Sequence, residues 1–237
     1  MWAYGRIVHL EPVMWYNDWP ICGHVGDPLL AGAPANEADY PIDVKTNYKI
    51  DLNDNFKDNK LSLLWQTQAN PKKSWFSFNK GLVLNCVKTD ACDLHLVPQL
   101  LTQKVPALEF DTKTLIELDN LKENDAVGFT MMGTNYTYIE IKRINNKLEL
   151  ALYEGSFNTH DICVFKEEYQ DDKIILGLKA RNEAIYDLRY QYTVNGKVIE
   201  KSYLASAGRW IGATYGLFAR GNGGNALVKY FNTTKLK

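Results

Sequence analysis

Many short antiparallel strands, packed as an all-β sandwich or jelly roll, are what this sequence predicts, and three observations carry that expectation. Strand-length runs rich in β-branched and aromatic residues recur from about Ile50 almost to the last residue. Turn-forming pairs separate them, notably Asn145-Asn146 and Asn195-Gly196. No long stretch carries the apolar stripe of a helix.

Taken in chain order, residues 7–10 and 13–16 read as short strands, with a turn at Asn17-Asp18. Trp2, Tyr4, Trp15, Tyr16 and Trp19 crowd this stretch, more aromatic surface than one hairpin buries by itself. Residues 26–43 are aperiodic and punctuated by Pro28, Gly32, Pro34 and Pro41, as in a linker or an arm laid over a surface. Residues 75–78 and 82–87 form the next expected hairpin, around Asn79-Lys80-Gly81. Between residues 108 and 118, Leu108, Phe110, Thr112, Thr114, Ile116 and Leu118 alternate with mostly charged neighbours, the period of a half-buried strand, and Val127, Phe129 and Met131 repeat it. Ile139 and Ile141 should face Leu148, Leu150 and Leu152 across Asn145-Asn146. Residues 174–178 make a strand, 190–194 turn at Asn195-Gly196 into 198–203, and 217–219 and 226–231 close the set.

The chain has 237 residues, 46% hydrophobic and 23% charged, so a large core is expected and order over most of the length. Its 27 Lys and Arg against 28 Asp and Glu leave a formal net charge of −1. A balance this even creates no general field for nucleic acid or an anionic membrane, and neither is expected as a partner. Residues 1–6 lack the basic start and apolar run of a signal peptide, and no apolar run reaches the ~20 residues of a membrane helix. Localisation stays open between cytoplasm and export. Cys22, Cys86, Cys92 and Cys163 include no C-x-x-C pair; they read as buried unpaired thiols, with a Cys86–Cys92 disulfide left open.

Motifs for chemistry are sparse. Hydrolysis of a sugar bond needs two carboxylates placed across it, and sequence neighbours such as Glu167-Glu168 or Asp171-Asp172 point to opposite faces of a strand. No G-x-S-x-G elbow accompanies the four histidines, and His160-Asp161 reads as a loop pair. Gly221-Asn222-Gly223-Gly224 lacks the lysine of a phosphate loop and reads as a flexible loop before the last strand. Trp65, Trp75, Tyr136, Tyr138 and Trp210 are the aromatic residues able to stack on a sugar; Trp75, Tyr136 and Trp210 are retained as candidates, although aromatic residues on strands more often fill cores.

Gly5-Arg-Ile-Val-His-Leu-Glu-Pro-Val13, followed by Trp15 and Asp18-Trp-Pro-Ile21, resembles the last blade of the five-bladed β-propeller of family 43 glycoside hydrolases. Three ordered blocks, residues 61–71 with Trp75-Phe-Ser77, residues 127–136 and residues 208–218, resemble the concanavalin A-like C-terminal domain of the β-xylosidase and α-arabinofuranosidase branch of that family. The resemblance implies a remnant of the last propeller blade over 1–24, a linker over 25–50 and a concanavalin A-like jelly roll over 51–237. It implies an accessory sandwich for a glycosidase of xylan or arabinoxylan oligosaccharides, buttressing the propeller and its active-site pocket. The rival is a carbohydrate-binding module for plant cell-wall polysaccharide. The implied partners are the catalytic propeller of the same parent protein and an oligosaccharide. The family's catalytic carboxylates lie on earlier blades, so no catalytic residue is expected here and the chain alone is expected to be inactive. Arg6, the arginine of the Gly-Arg motif, is carried over as a substrate-contacting residue, suited to hydrogen-bond two hydroxyls in fixed geometry. Residues 226–231 depart from the acidic stretch that relatives often show there, so neither a metal nor another cofactor is expected.

Overall fold

The computed structural model describes residues 3–6, 10–24, 33–43, 50–89, 91–184 and 187–236. They fall into two compact units, Met1–Arg6 with Asp51–Lys237, and Ile7–Ile50. Ala3–Arg6 thus groups with the large unit rather than with the hairpin that follows it in sequence.

In the smaller unit, β1 (Val13–Tyr16) pairs antiparallel with β2 (Trp19–Cys22), Tyr16 opposite Trp19. Asn17 and Asp18 turn the chain with φ of 47° and 61°, left-handed values that these side chains tolerate. Trp15 and Trp19 remain 71% and 72% exposed. The expected strand over residues 7–10 falls mostly on residues outside the described set.

The large unit contains β3 (Gln66–Thr67), β4 (Phe76–Phe78), β5 (Leu82–Asn85), β6 (Leu101–Lys104), β7 (Phe110–Glu117), β8 (Ala126–Met132), β9 (Asn135–Ile144), β10 (Lys147–Ser156), β11 (Thr159–Tyr169), β12 (Lys173–Ala184), β13 (Asp187–Val194), β14 (Lys197–Val198), β15 (Tyr203–Leu204), β16 (Thr214–Arg220) and β17 (Asn225–Lys235). One sheet runs β11-β10-β9-β8-β16-β6-β3, the other β14-β13-β12-β7-β17-β5-β4, with β15 also on β13. Every pairing between these strands is antiparallel. The result is the all-β jelly-roll sandwich that the sequence predicted.

Local sequence explains the register. Phe110, Thr112, Thr114 and Ile116 of β7 are buried and their neighbours are not, as the period-2 pattern requires. Across the Asn145-Asn146 turn, Ile139 pairs with Leu152 and Ile141 with Leu150. Between the sheets, Phe129 stacks on Phe231 with centroids 5.8 Å apart, surrounded by Leu82, Ile116, Ile174, Leu176 and Leu217. Each such fully buried side chain stabilises by roughly 1.5–3 kcal/mol.

The seven-stranded sheet is covered on its other face as well. Tyr136, Tyr138, Met132 and Phe218 pack there beneath Leu94, Val97 and Leu100, carried by a segment containing the 3-10 turn Leu94–Leu96. Several sequence expectations fail, among them the loop reading of His160-Asp161, which lies on β11. The strand expected over 198–203 breaks into β14 and β15, because Gln191 donates its amide to the carbonyls of Ile199 and Glu200 where a ladder would run. The Gly221–Gly224 loop is tied down by Asp125, whose fully buried carboxylate accepts N–H bonds from Lys122 (2.7 Å), Asn222 (2.5 Å) and Gly224 (2.8 Å). The four cysteines are free thiols, and Cys86 alone is buried. Cys92 and Cys163 are exposed because a surface segment and an edge strand carry them.

Candidate functional site

Two of the nominated residues, far apart in sequence, meet on one surface of the large unit. The Ala3 carbonyl accepts from Ala213 N at 2.6 Å, and Tyr4 donates its hydroxyl to the Leu108 carbonyl at 3.1 Å. Gly5 (φ +76°) and Gly212 press backbone on backbone; a Cβ on Gly5 would lie 2.5 Å from Gly212 N. Only glycine permits that approach. It places the Arg6 guanidinium over the Trp210 ring, 5.5 Å from its centroid, a cation–π pair. Trp210 stays 68% exposed and Ile211 49%. The arrangement offers an apolar platform beside a cation, able to hold a polyol or a partner's backbone.

The other aromatic candidates are core. Trp75 is 5% exposed and Tyr136 1%, so neither presents a ring face to a sugar. Trp65 packs edge-on against Phe231 and donates its indole N–H to Asp54 at 2.9 Å, and Tyr138 stacks on Tyr153 at 4.8 Å. Both faces of the seven-stranded sheet are covered, so its outward-pointing tyrosines are buried as deeply as the inward ones.

Beneath the covering segment lies a polar network. Tyr136 donates to Asp161 Oδ1 (2.5 Å), while Tyr138 and the Leu94 amide donate to Oδ2 (2.9 and 2.8 Å). With the Tyr136 proton so committed, His95 Nδ1 donates to the phenol oxygen at 2.9 Å. The Asp161 amide donates to Asp93 Oδ1, and His160 Nδ1 meets Asp93 Oδ2, both at 2.9 Å. That amide, more than His160, holds the Asp93 carboxyl below its usual range. Burial, then the Asp161 carboxylate, pushes the Tyr136 hydroxyl far up, and burial with Glu140 does the same to Tyr138. These phenols are structural donors, not acids or nucleophiles. Next to them Arg220 donates to Glu140 at 3.1 Å and to Tyr138 at 3.3 Å. Burial disfavours its charge, yet the Glu140 carboxylate outweighs this and keeps it protonated.

A cavity of about 370 Å³ opens between β9–β11 and the β13/β15 edge, lined by Asn135, Ser156, Thr159, Glu154, Tyr190 and Tyr203 among others. Glu154 is its single carboxylate and pairs with Lys201 at 2.6 Å. One engaged carboxylate does not make the acid–base pair that glycoside hydrolysis uses. Among the described residues, no group of three or more His, Cys, Asp or Glu side chains could hold a metal ion.

The model of the β-xylosidase C-terminal concanavalin A-like domain matches residues 53–234. The chain belongs to this family. It is 23% identical to a β-xylosidase of Formosa agariphila over 241 residues, covering 91% of this chain and 40% of that one. Among solved structures, a family 43 glycoside hydrolase engineered at its active site, described as showing both endo-xylanase and exo-arabinofuranosidase activity, superposes with a TM-score of 0.75 at 18% identity, over 99% of this chain and 50% of its own. Xylan β-1,4-xylosidase from Bacillus halodurans superposes at 0.70, with 13% identity over 95% of this chain and 46% of its own. These likenesses carry the fold. The chain spans less than half the length of the curated relatives it matches.

In this β-xylosidase C-terminal domain, sequence reasoning missed Asp93, Asp161, Glu140 and Arg220. The signal present was the phase of Tyr136, Tyr138 and Glu140, three polar-tipped residues sharing one face of a strand whose other face carries Ile139 and Ile141. That phase marks a second covered face.

Proposed function

We propose that this sandwich is the accessory domain of a family 43 glycosidase acting on xylan- or arabinoxylan-type oligosaccharides, buttressing a catalytic propeller and the wall of its active-site pocket. The observation that carries this reading is the stitching of Ala3–Arg6 into the 208–213 loop by the Ala3–Ala213 hydrogen bond and the Gly5–Gly212 contact. The Gly-Arg motif that resembles the end of a propeller is thereby built into the sandwich unit, and Arg6 is fixed at its edge. The exposed Trp15 and Trp19 of the hairpin supply apolar surface for the same propeller. The test is release of p-nitrophenol from aryl xylosides and arabinofuranosides by the 237-residue chain, alone and with a family 43 propeller supplied as a second chain. No turnover is expected alone, and activity with the propeller should fall on Arg6→Ala. Robust turnover by the repurified chain alone would overturn the reading.

The second reading, a carbohydrate-binding module, draws on the exposed Trp210 beside Arg6. It expects the chain to co-sediment with insoluble xylan and Trp210→Ala to abolish this. Retention in the supernatant at all xylan loads removes it.

A further inference from the structure

The inward-facing rows of β9 and β10 change character at one level. Ile141 and Ile139 lie opposite Leu150 and Leu152 in the core, and the next inward pairs are Thr137 with Glu154 and Asn135 with Ser156. Tyr190 and Tyr203, opposite each other on β13 and β15, line the same space from the other sheet. The apolar core therefore ends in a layer of hydrogen-bonding groups, and the cavity of about 370 Å³ lies within that layer. Ile162 and Leu204, both exposed, complete its walls on the solvent side.

Part of this layer is satisfied within the protein. Tyr190 shares a hydrogen bond with Thr137 at 2.8 Å, and Ser156 with Thr159 at 2.9 Å. The Tyr203 hydroxyl is buried and finds no partner in hydrogen-bonding geometry. The same holds for Glu154 Oε1, although Lys201 Nζ stands 2.6 Å away and balances its charge. Burial, then the Glu154 carboxylate, pushes the Tyr203 hydroxyl up, so it keeps its proton and remains a donor. At the rim, Ser206 holds the Asn135 backbone through both its N–H and its carbonyl, while the exposed side-chain amide has no partner among the described residues. A buried hydroxyl without a partner is destabilising, and here it faces a cavity in the size range of ligand pockets. With the one carboxylate already balanced by Lys201, the walls call for neither an anion nor a cation. They offer donors and acceptors, which a ligand rich in hydroxyl groups can meet in both roles.

We propose that this cavity binds a neutral polyol the size of one sugar ring. The Tyr203 hydroxyl donates to one ligand oxygen, Glu154 accepts from a neighbouring ligand hydroxyl, and the Asn135 amide closes the rim. The site stands whether or not the domain serves a propeller, because none of its residues belongs to the Arg6–Trp210 surface.

The experiment is calorimetric titration of the whole chain with xylose, glucose and sodium glucuronate. Saturable binding of a neutral sugar in the millimolar range is expected, and glucuronate, repelled by Glu154, should bind more weakly than glucose. Tyr203→Phe and Asn135→Ala should each weaken binding about fivefold, and the double variant should abolish it. Thermal melts separate binding from folding. Tyr203→Phe deletes a hydroxyl without a partner, so the free variant should melt no lower than the parent chain, yet it should lose most of the rise in Tm that saturating sugar gives the parent. Trp210→Ala should leave the affinity unchanged, which distinguishes this cavity from the exposed platform. The proposal is overturned by absence of saturable binding of both neutral sugars, by glucuronate binding as tightly as glucose, by affinity that survives the double variant or is lost with Trp210→Ala, or by a lowered melt of free Tyr203→Phe.

Discussion

Asp161 shows how much one carboxylate can organise. It accepts from two phenols and one amide, and its own N–H reaches Asp93. Asp161→Asn keeps the shape but points an amide N–H₂ at a donor, so it should cost roughly 1–3 kcal/mol in denaturant unfolding. A loss below a few tenths would mean that the network is solvated. Glu140→Gln, which leaves the 16%-exposed Arg220 side chain without its counter-charge, should cost about 3 kcal/mol, a fall of roughly 6–12 °C in Tm. Trp210→Ala, at an exposed site, should change stability by less than about 0.5 kcal/mol, which makes it a clean probe of binding. None of this was legible at residues 93 or 161, and at residue 140 only the phase of its strand hinted at it. Adjacent carboxylates and histidines read as solvated when the only cue is their neighbours in sequence. Burial on the outer face comes from residues 91–100, a segment with no period to announce it.

At the scale of elements, the turns were the most legible feature, because they are local. Asn145-Asn146 and Asn195-Gly196 both turn with positive φ, at 52° and 61° and at 50° and 81°. Asn195 adds its side chain, accepting from Ile175 N at 2.9 Å and donating to the Tyr169 hydroxyl at 3.0 Å. Nothing lies within 4 Å of a Cβ placed on Gly196, so Gly196→Ala should cost only the conformational penalty, about 1 kcal/mol by chemical denaturation. A larger loss would point to a contact made by the turn. β11 was not legible. It is an edge strand, exposed along most of its length, so neither face imposes an apolar period. Its register shifts against β10, at Leu152/Tyr153 and Glu154/Ser156, bend an edge that Ile162, Val164 and Phe165 would otherwise make adhesive.

Across the whole molecule, tyrosines do work that a purely aliphatic core would not. Tyr190 and Tyr192 in the inner layer, and Tyr136, Tyr138 and Tyr153 on the outer one, have hydroxyls pushed up, first by burial; burial likewise takes Tyr215 to about 12. A phenol whose folded pKa is raised stabilises the fold fully below the unfolded value near 10 and progressively less as pH rises above it. The domain should therefore unfold cooperatively in alkali, with phenolate absorbance appearing together with loss of β-type circular dichroism. Phenolate formation well before unfolding would contradict the burial. In acid the direction reverses at Asp93, whose depressed carboxyl contributes above the ordinary carboxylate range and is lost as pH falls through its folded value. The sandwich class was legible because many local alternations had to agree. Strand order was not, since it is set by contacts distant in sequence.

One such contact governs the order of events during synthesis. β17, the last of these strands in sequence, lies in the middle of the eight-stranded sheet, between β7 and β5. Until it arrives, the sheet exists only as two halves with raw edges, and Phe231 is absent from the inner core. The 208–213 loop that receives Ala3–Arg6 likewise emerges only some two hundred residues after the segment it binds. A chain still lacking β17 is therefore open at both raw edges and prone to aggregate. Truncation before Asn225 would remove the strand that joins the two halves of the sheet.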